Sequence, residues 1–390
     1  MLIGLVGRPS AGKSTFFRAA TLADAEIANY PFTTIKPNHA MAYVRIHDLA
    51  VDFGKHSNPR EGFVKGDWRF VPFELIDVAG LVEGASEGKG LGNEFLNDLA
   101  GADAFIHVVD MSGELDSEGK PAQDYYPGID IKMIENELDL WYLGILKKTW
   151  EKFARSVEMQ KSKLSEAVAK QFSGLKVGEE DVKSVLLKVG LNPEKPSSWS
   201  QEDLVRFSRE LRRMTKPMII AANKIDTVKG RENFEKVKLE FDYPIVPCYA
   251  EGELVLRQAD KQGLIEYIPG EKDFEIKKEV SEGQKKALDK IQDVMKDNGT
   301  GVQDVLNKAV FDLLGYIAVY PAGSKLQDSK GNVLPDCYLM EKESTALDFA
   351  YRLHSDIGKN FVKAMHVKTK QAVGKDYKLK MGDGLEIMTR

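Results

Sequence analysis

Apolar residues come in short, dense runs: LIGLVG from Leu2, AMAYVRI from Ala40, VPFELIDV from Val71 and AFIHVVD from Ala104. Similar runs return at PMIIAANK from Pro217 and YPIVPCYA from Tyr243. Runs this short and continuous suit buried strands, and the helical stretches between most of them imply a mainly parallel sheet covered on both faces. AMAYVRI and VPFELIDV are joined by a polar loop without helical pattern, so those two are expected to pair antiparallel.

Between the VVD and PMIIAANK runs the spacing changes. Leu143, Trp150, Val157 and Leu164 lie seven apart, with Leu146, Phe153 and Ala167 on an adjacent row, which predicts one long helix over 133–171 with a narrow apolar seam. After LNPEKPSSWS, Ser200 is placed to cap a second helix to Met214, with Glu202 and Asp203 at its positive end. With a shorter helix between them, these make an antiparallel helical projection. Residues 141–213 carry fifteen Lys/Arg against ten acids, so the projection leans basic; a solvated hairpin with no ligand is the alternative. Further helices are expected before Pro269 and between Ser281 and Leu314. The texture then becomes strand-like in LGYIAVYPAG, NVLPDCYLM, AMHVKTKQAV and DGLEIMTR, with DSKG as a hairpin turn and STALDFAYRLHSDI as a helix capped by Ser344. That is a compact α+β module.

At 390 residues the chain has room for two or three domains. No apolar run approaches the roughly 18 residues of a membrane helix, and MLIGLVG is too short for a signal peptide, so a cytoplasmic protein with no membrane partner is expected. Cys248 and Cys337 alone give neither metal-ligand spacing nor a disulfide framework. His107, His354 and His366 are scattered with no ligand-like spacing. The formal net charge of -5 argues against a uniformly basic nucleic-acid-coating protein. Between Arg352 and Lys380, however, eight Lys/Arg face two acids, Asp356 and Asp376.

GRPSAGKS follows the first strand and opens a helix, the context that gives GxxxxGK[ST] its meaning. The backbone across Gly7, Arg8, Pro9, Ser10, Ala11 and Gly12, with N–H donors at every position but Pro9, and the helix start at Lys13, Ser14 and Thr15 cradle phosphates. Lys13 neutralises the β/γ oxygens and Ser14 offers a hydroxyl to Mg²⁺. Asp77 ends a strand beside that loop, three residues before Gly80, where a carboxylate can hold the water shell of the metal. Asn223, Lys224 and Asp226, in NKID, follow another buried strand. A carboxylate at Asp226 accepts from N1–H and the 2-amino group of guanine, and adenine offers no such donor pair. In this order the three motifs indicate a GTP-binding domain. A Ras-type switch carries a water-orienting Gln after the DxxG glycine; here that place is Leu81.

With those elements in order, the chain resembles the Obg-like GTPases, most closely the YchF branch in its archaeal form. YPFTTIKPN is similar to the first switch of that group, GLVEGASEGKGLGNEF to its glycine-rich second switch, and AEGELVLRQA to the segment holding its last base-binding loop. The resemblance implies a P-loop NTPase fold of the Ras-like type over 1–132 and 215–312, a helical insertion over 133–214, and a β-grasp TGS module over 313–390. It implies Thr34 as the Mg²⁺ and γ-phosphate sensor, with Lys13 and Gly80 in the catalytic set. Tyr249 and Ala250 fall in the base loop, and Ala250 N–H is expected to face guanine O6. Leu81 cannot polarise water, which implies slow hydrolysis of GTP by a switch that binds ribosomes or other RNA through the insertion and the TGS module. Ser10 stands where relatives often carry the Asn that accompanies potassium stimulation, an argument against potassium dependence. Tyr249 replaces the usual Ser of the base loop. Several relatives have lost NKxD and use ATP, whereas NKID is kept here. An Obg-like ATPase and a non-enzymatic RNA-binding adaptor are the alternatives.

Overall fold

The opening run forms β1 (Leu2–Val6), buried beyond Leu2, and turns through residues 7–12 into α1 (Lys13–Thr21). The computed structural model describes residues 1–21, 39–78, 84, 98–117, 119–323 and 325–390. β2 (His39–His47), β3 (Phe63–Lys65), β4 (Trp68–Asp77) and the wholly buried β5 (Ala104–Asp110) follow. β2 and β4 pair antiparallel, from His39 opposite Ile76 to His47 opposite Trp68. The connection carries no α-helix of the kind that ordinarily makes a parallel crossover, which suits that arrangement.

After β5 the chain enters a helical excursion. In place of one helix over 133–171 there are three: α2 (Gly128–Lys147), α3 (Trp150–Gln160) and α4 (Leu164–Gln171). The first break lies at Thr149, whose φ is -132°, and the second at Lys161, whose φ of 49° closes α3. A straight helix would have left its apolar seam in water. Folded back at those two points, Trp150, Val157 and Leu164 share one core with Val185, Phe207 and Leu211. α5 (Glu179–Val189) and α6 (Gln201–Thr215) complete this core. As expected, Ser200 caps α6: its hydroxyl accepts from Asp203 N–H, and the Asp203 carboxylate accepts from Ser200 N–H at 2.9 Å. The root is held by buried Arg212, whose Nε is 2.7 Å from Asp139 of α2.

The chain rejoins the sheet as β6 (Met218–Asn223), then runs through α7 (Val228–Glu240), β7 (Ile245–Pro247) and α8 (Ala250–Lys261). The sheet order is β2-β4-β1-β5-β6-β7, with β3 on β4, and every pair from β4 to β7 is parallel. The carboxyl ends of β1, β4, β5 and β6 therefore open on one rim, where ligands of such sheets bind. A ribbon of β8 (Ile265–Glu266) and β9 (Glu275–Ile276), then α9 (Glu282–Asn298) and α10 (Val302–Asn307), complete this part.

The last module is a mixed sheet, in the order β11-β10-β14-β12-β13, built from β10 (Tyr316–Pro321), β11 (Tyr338–Glu341), β12 (Phe361–His366), β13 (Ala372–Val373) and β14 (Gly384–Thr389). DSKG does turn a hairpin: Gly331 N–H donates to the Asp328 carbonyl at 3.1 Å. The expected cap at Ser344 moves one residue on, because Thr345 has the Asp three positions later that completes a reciprocal cap. The helix itself is split. α11 (Ala346–Leu353) stops at His354, which is extended at φ -165° and caps α12 (Ser355–Lys359) with its ring nitrogen. The module is docked on the antiparallel side of the large sheet. Buried Arg69 on β4 donates to the carbonyls of Leu334 at 3.1 Å and Pro335 at 3.0 Å, while Ala318, Tyr320 and Val367 join a core containing Val44 and Val71. Among the described residues, no helix is long and apolar enough to cross a membrane.

Candidate nucleotide site

The rim of the parallel sheet brings two loops face to face. In the phosphate loop Gly7 has φ +149° and Gly12 φ +94°. A Cβ on Gly7 would lie 2.5 Å from the Val108 carbonyl oxygen, and one on Gly12 2.3 Å from Asn223 Nδ2. Only glycine fits either place. Ser10 also takes a left-handed conformation, at φ 65°. Pro9, Ser10 and Ser14 are exposed at the mouth, Thr15 is half-buried and Ala11 is buried.

Lys13 is 8% exposed and its Nζ donates to the Arg8 carbonyl at 3.3 Å. Burial pulls its pKa down, and the carboxylate of Asp77 opposes that shift. Ser14 Oγ donates to Asp77 Oδ2 at 2.9 Å. The other oxygen, Oδ1, is buried with no hydrogen-bond partner among the described residues, and burial raises the Asp77 pKa. An orphaned carboxylate oxygen beside a hydroxyl at the phosphate loop is a donor set that fits a hard divalent cation such as Mg²⁺. Thr34, Gly80 and Leu81 lie outside the described residues.

The Arg8 side chain takes its own course. Its guanidinium is 2% exposed and turns away from the loop mouth: Nε lies 2.7 Å from Asp130 Oδ2, and Nη2 donates to the Leu115 carbonyl at 2.8 Å. The face of Tyr125 lies 4.9 Å away. A buried guanidinium needs such partners, so Arg8 offers a ligand its backbone only.

On the base side, Asn223 spans the two loops. Its Nδ2 donates to the Ala11 carbonyl at 3.1 Å and its Oδ1 accepts from Ala250 N–H at 3.1 Å. The Ala250 amide, expected to face guanine O6, thus donates to Asn223 here. Lys224, at φ 64°, reaches back to Asp110 Oδ2 at 2.7 Å. Tyr249 is 7% exposed and is tied down by its N–H, which donates to the Thr300 carbonyl at 2.8 Å. Asp226 Oδ2 accepts from Lys290 Nζ at 2.8 Å. Three of these partners, Asp110, Asp130 and Lys290, went unnoticed in the sequence. Asp110 was recognisable as a second strand-end acid; Lys290, on a helix 64 positions away, left no local signal.

Arranged this way, the rim can hold an anion chain at one end and a hydrogen-bonding ring at the other. Residues 2–137 match the family described as 50S ribosome-binding GTPase, 221–323 the Obg-like GTPase YGR210-like, G4 motif-containing domain, and 317–389 the TGS domain. The chain is 46% identical to an uncharacterized GTP-binding protein of Methanocaldococcus jannaschii, over 100% of this chain and 99% of the relative. It is 30% identical to the ribosome-binding ATPase YchF of Bacillus subtilis, covering 93% of this chain and 87% of that one. A crystal structure of a GTP-binding protein from Pyrococcus horikoshii superposes with a TM-score of 0.80 at 39% identity, covering 100% of both chains.

Proposed function

The chain belongs to the Obg-like family of P-loop GTPases, among the relatives of YchF, and from that membership we propose that it hydrolyses GTP slowly to GDP and phosphate as a ribosome- or RNA-associated switch in the cytoplasm. The observation that carries this reading is the Asn223 amide, which ties the phosphate loop at Ala11 to the base loop at Ala250. One ligand with a phosphate tail and a purine spans that distance.

In this reading Lys13 leaves the Arg8 carbonyl for the β/γ-phosphate oxygens, while Ser14, Thr34 and Asp77 hold Mg²⁺. The ion, when bound, neutralises phosphate charge. The backbone of residues 7–15 cradles the phosphates, and Gly80 faces the γ-phosphate. Asn223, Lys224 and Tyr249 shape the base pocket, and Asp226 reads guanine. Ala250 N–H is shared between Asn223 and guanine O6. With Leu81 in place of a water-orienting Gln, turnover depends on electrostatics or on a partner that orders the site. The nucleotide domain is assigned to 1–132 and 215–312, the helical insertion to 133–214 and the TGS module to 313–390.

The name of the Bacillus subtilis relative supports a ribosomal partner. So does the cationic strip of the last module, where Lys359, Lys363, Lys370, Lys375 and Lys380 are exposed and can meet backbone phosphates. Cosedimentation with ribosomes is the test, run with a GTP analogue, GDP or no nucleotide at two salt concentrations. Binding that depends on the γ-phosphate and weakens with salt is expected. Binding indifferent to nucleotide, with no GTP turnover, would make the chain an adaptor. The same relative is named an ATPase, so displacement of a fluorescent guanine nucleotide by ATP as readily as by GTP would transfer the activity to ATP.

A further inference from the structure

We infer that Lys290, acting through Asp226, sets how sharply this site separates guanine from adenine; the inference rests on Asp226 being the base-reading carboxylate. α9 is fixed beside the pocket, because its Leu288, Ile291 and Met295 are buried against Ile225 and Tyr249. Lys290 rises from that helix at 60% side-chain exposure, with Nζ 2.8 Å from Asp226 Oδ2 and 5.9 Å from the centre of the Tyr249 ring. Asp226 is 14% exposed. The ammonium is charged at neutral pH as any exposed lysine is, and Asp226 raises its pKa further.

The ion pair shifts both affinities, in opposite directions. Guanine takes both oxygens of Asp226 for its N1–H and 2-amino donors, so it competes with Nζ at Oδ2. Because the lysine end of the pair is exposed, this weakens guanine binding by about fivefold. Adenine is ordinarily rejected because it leaves the carboxylate desolvated and unpaired. With adenine bound, Lys290 keeps that carboxylate paired. Adenine thereby escapes part of its penalty, and discrimination narrows from both sides. Salt weakens the pair and widens the discrimination again.

The test is titration calorimetry of GDP, ADP and XDP, each with Mg²⁺, on the full chain and on its Lys290→Met, Lys290→Arg and Asp226→Asn variants. Because Lys290 is mostly exposed, its variants are expected to melt with the parent. In Lys290→Met the ratio of ADP to GDP dissociation constants should rise about fivefold or more, with GDP tighter and ADP weaker. Lys290→Arg, which keeps an ion pair, should restore the parental ratio. A ratio within about twofold of the parent in Lys290→Met overturns the inference, and so does a change that Lys290→Arg fails to restore. Asp226→Asn keeps the two failures apart. If it does not shift preference from GDP toward XDP, Asp226 does not read the base and the proposed function falls with it. If it does shift while Lys290→Met leaves the ratio unchanged, only the role of Lys290 is lost.

Discussion

His107→Leu should make the protein more resistant to acid. His107 lies in mid-β5, opposite Val6 on one side and Ile220 on the other, with no exposed surface. Neither ring nitrogen has a hydrogen-bond partner among the described residues. Burial, helped by the nearby charge of Lys13, pushes the imidazole pKa from 6.5 down to about 3. Between those values the unfolded chain holds a proton that the folded one does not. Because the folded pKa is the lower of the two, stability falls as pH drops below 6.5, by about 1.4 kcal/mol per pH unit. From neutral pH to about pH 4.5 this amounts to ~3 kcal/mol. Leucine removes the titration and the two unpaired nitrogens together. Urea unfolding at about pH 7.5, 5.5 and 4.5 measures the effect, since other groups titrate alike in both proteins and cancel in the difference. The variant should gain on the parent steadily with acid. Parallel pH profiles would mean that the folded protein accommodates an imidazolium at this position, refuting the argument.

Three further outcomes follow from the nucleotide loops and the module junction. Lys13→Ala should weaken Mg·GTP binding by roughly tenfold to a hundredfold, the worth of a charge-assisted hydrogen bond; unchanged affinity in a fluorescence titration would remove the phosphate-loop assignment. Gly12→Ala forces a Cβ to within 2.3 Å of Asn223 Nδ2 at a left-handed φ of +94°. Its GDP affinity should drop by roughly tenfold or more, and an intact value would show that the Asn223 link is dispensable. Arg69→Met leaves the Leu334 and Pro335 carbonyls without their donor. It should destabilise the junction by ~1–3 kcal/mol, read as faster proteolysis near residue 315; an unchanged cleavage pattern would place the docking energy elsewhere.

The parallel strands were legible because a strand buried on both faces has few residues to choose from, and the β2–β4 pair because the segment joining its strands carries no helical pattern. NKID and GRPSAGKS were legible because phosphate and base contacts need particular backbones and particular donors. The helices over 133–171 were not, since a seven-residue repeat fits a straight seam and a seam folded upon itself equally well, and the left-handed turn at Lys161 has no glycine to announce it. Thr345 was missed in favour of Ser344 because both are capping residues, and only the position of Asp348 separates them. The Arg8 side chain was not legible either, since its buried partner, Asp130, comes from 122 positions away. Long-range ion pairs of this kind leave no trace in local spacing.

The amide at 223 answers to both loops, so it is a poor place to retune substrate choice: any change made there for the sake of the purine is felt immediately at Ala11. Freedom to drift toward another nucleotide must therefore reside at neighbours that serve the ring alone. A lineage exploring new substrates would be expected to vary those positions first and to surrender Asn223 last.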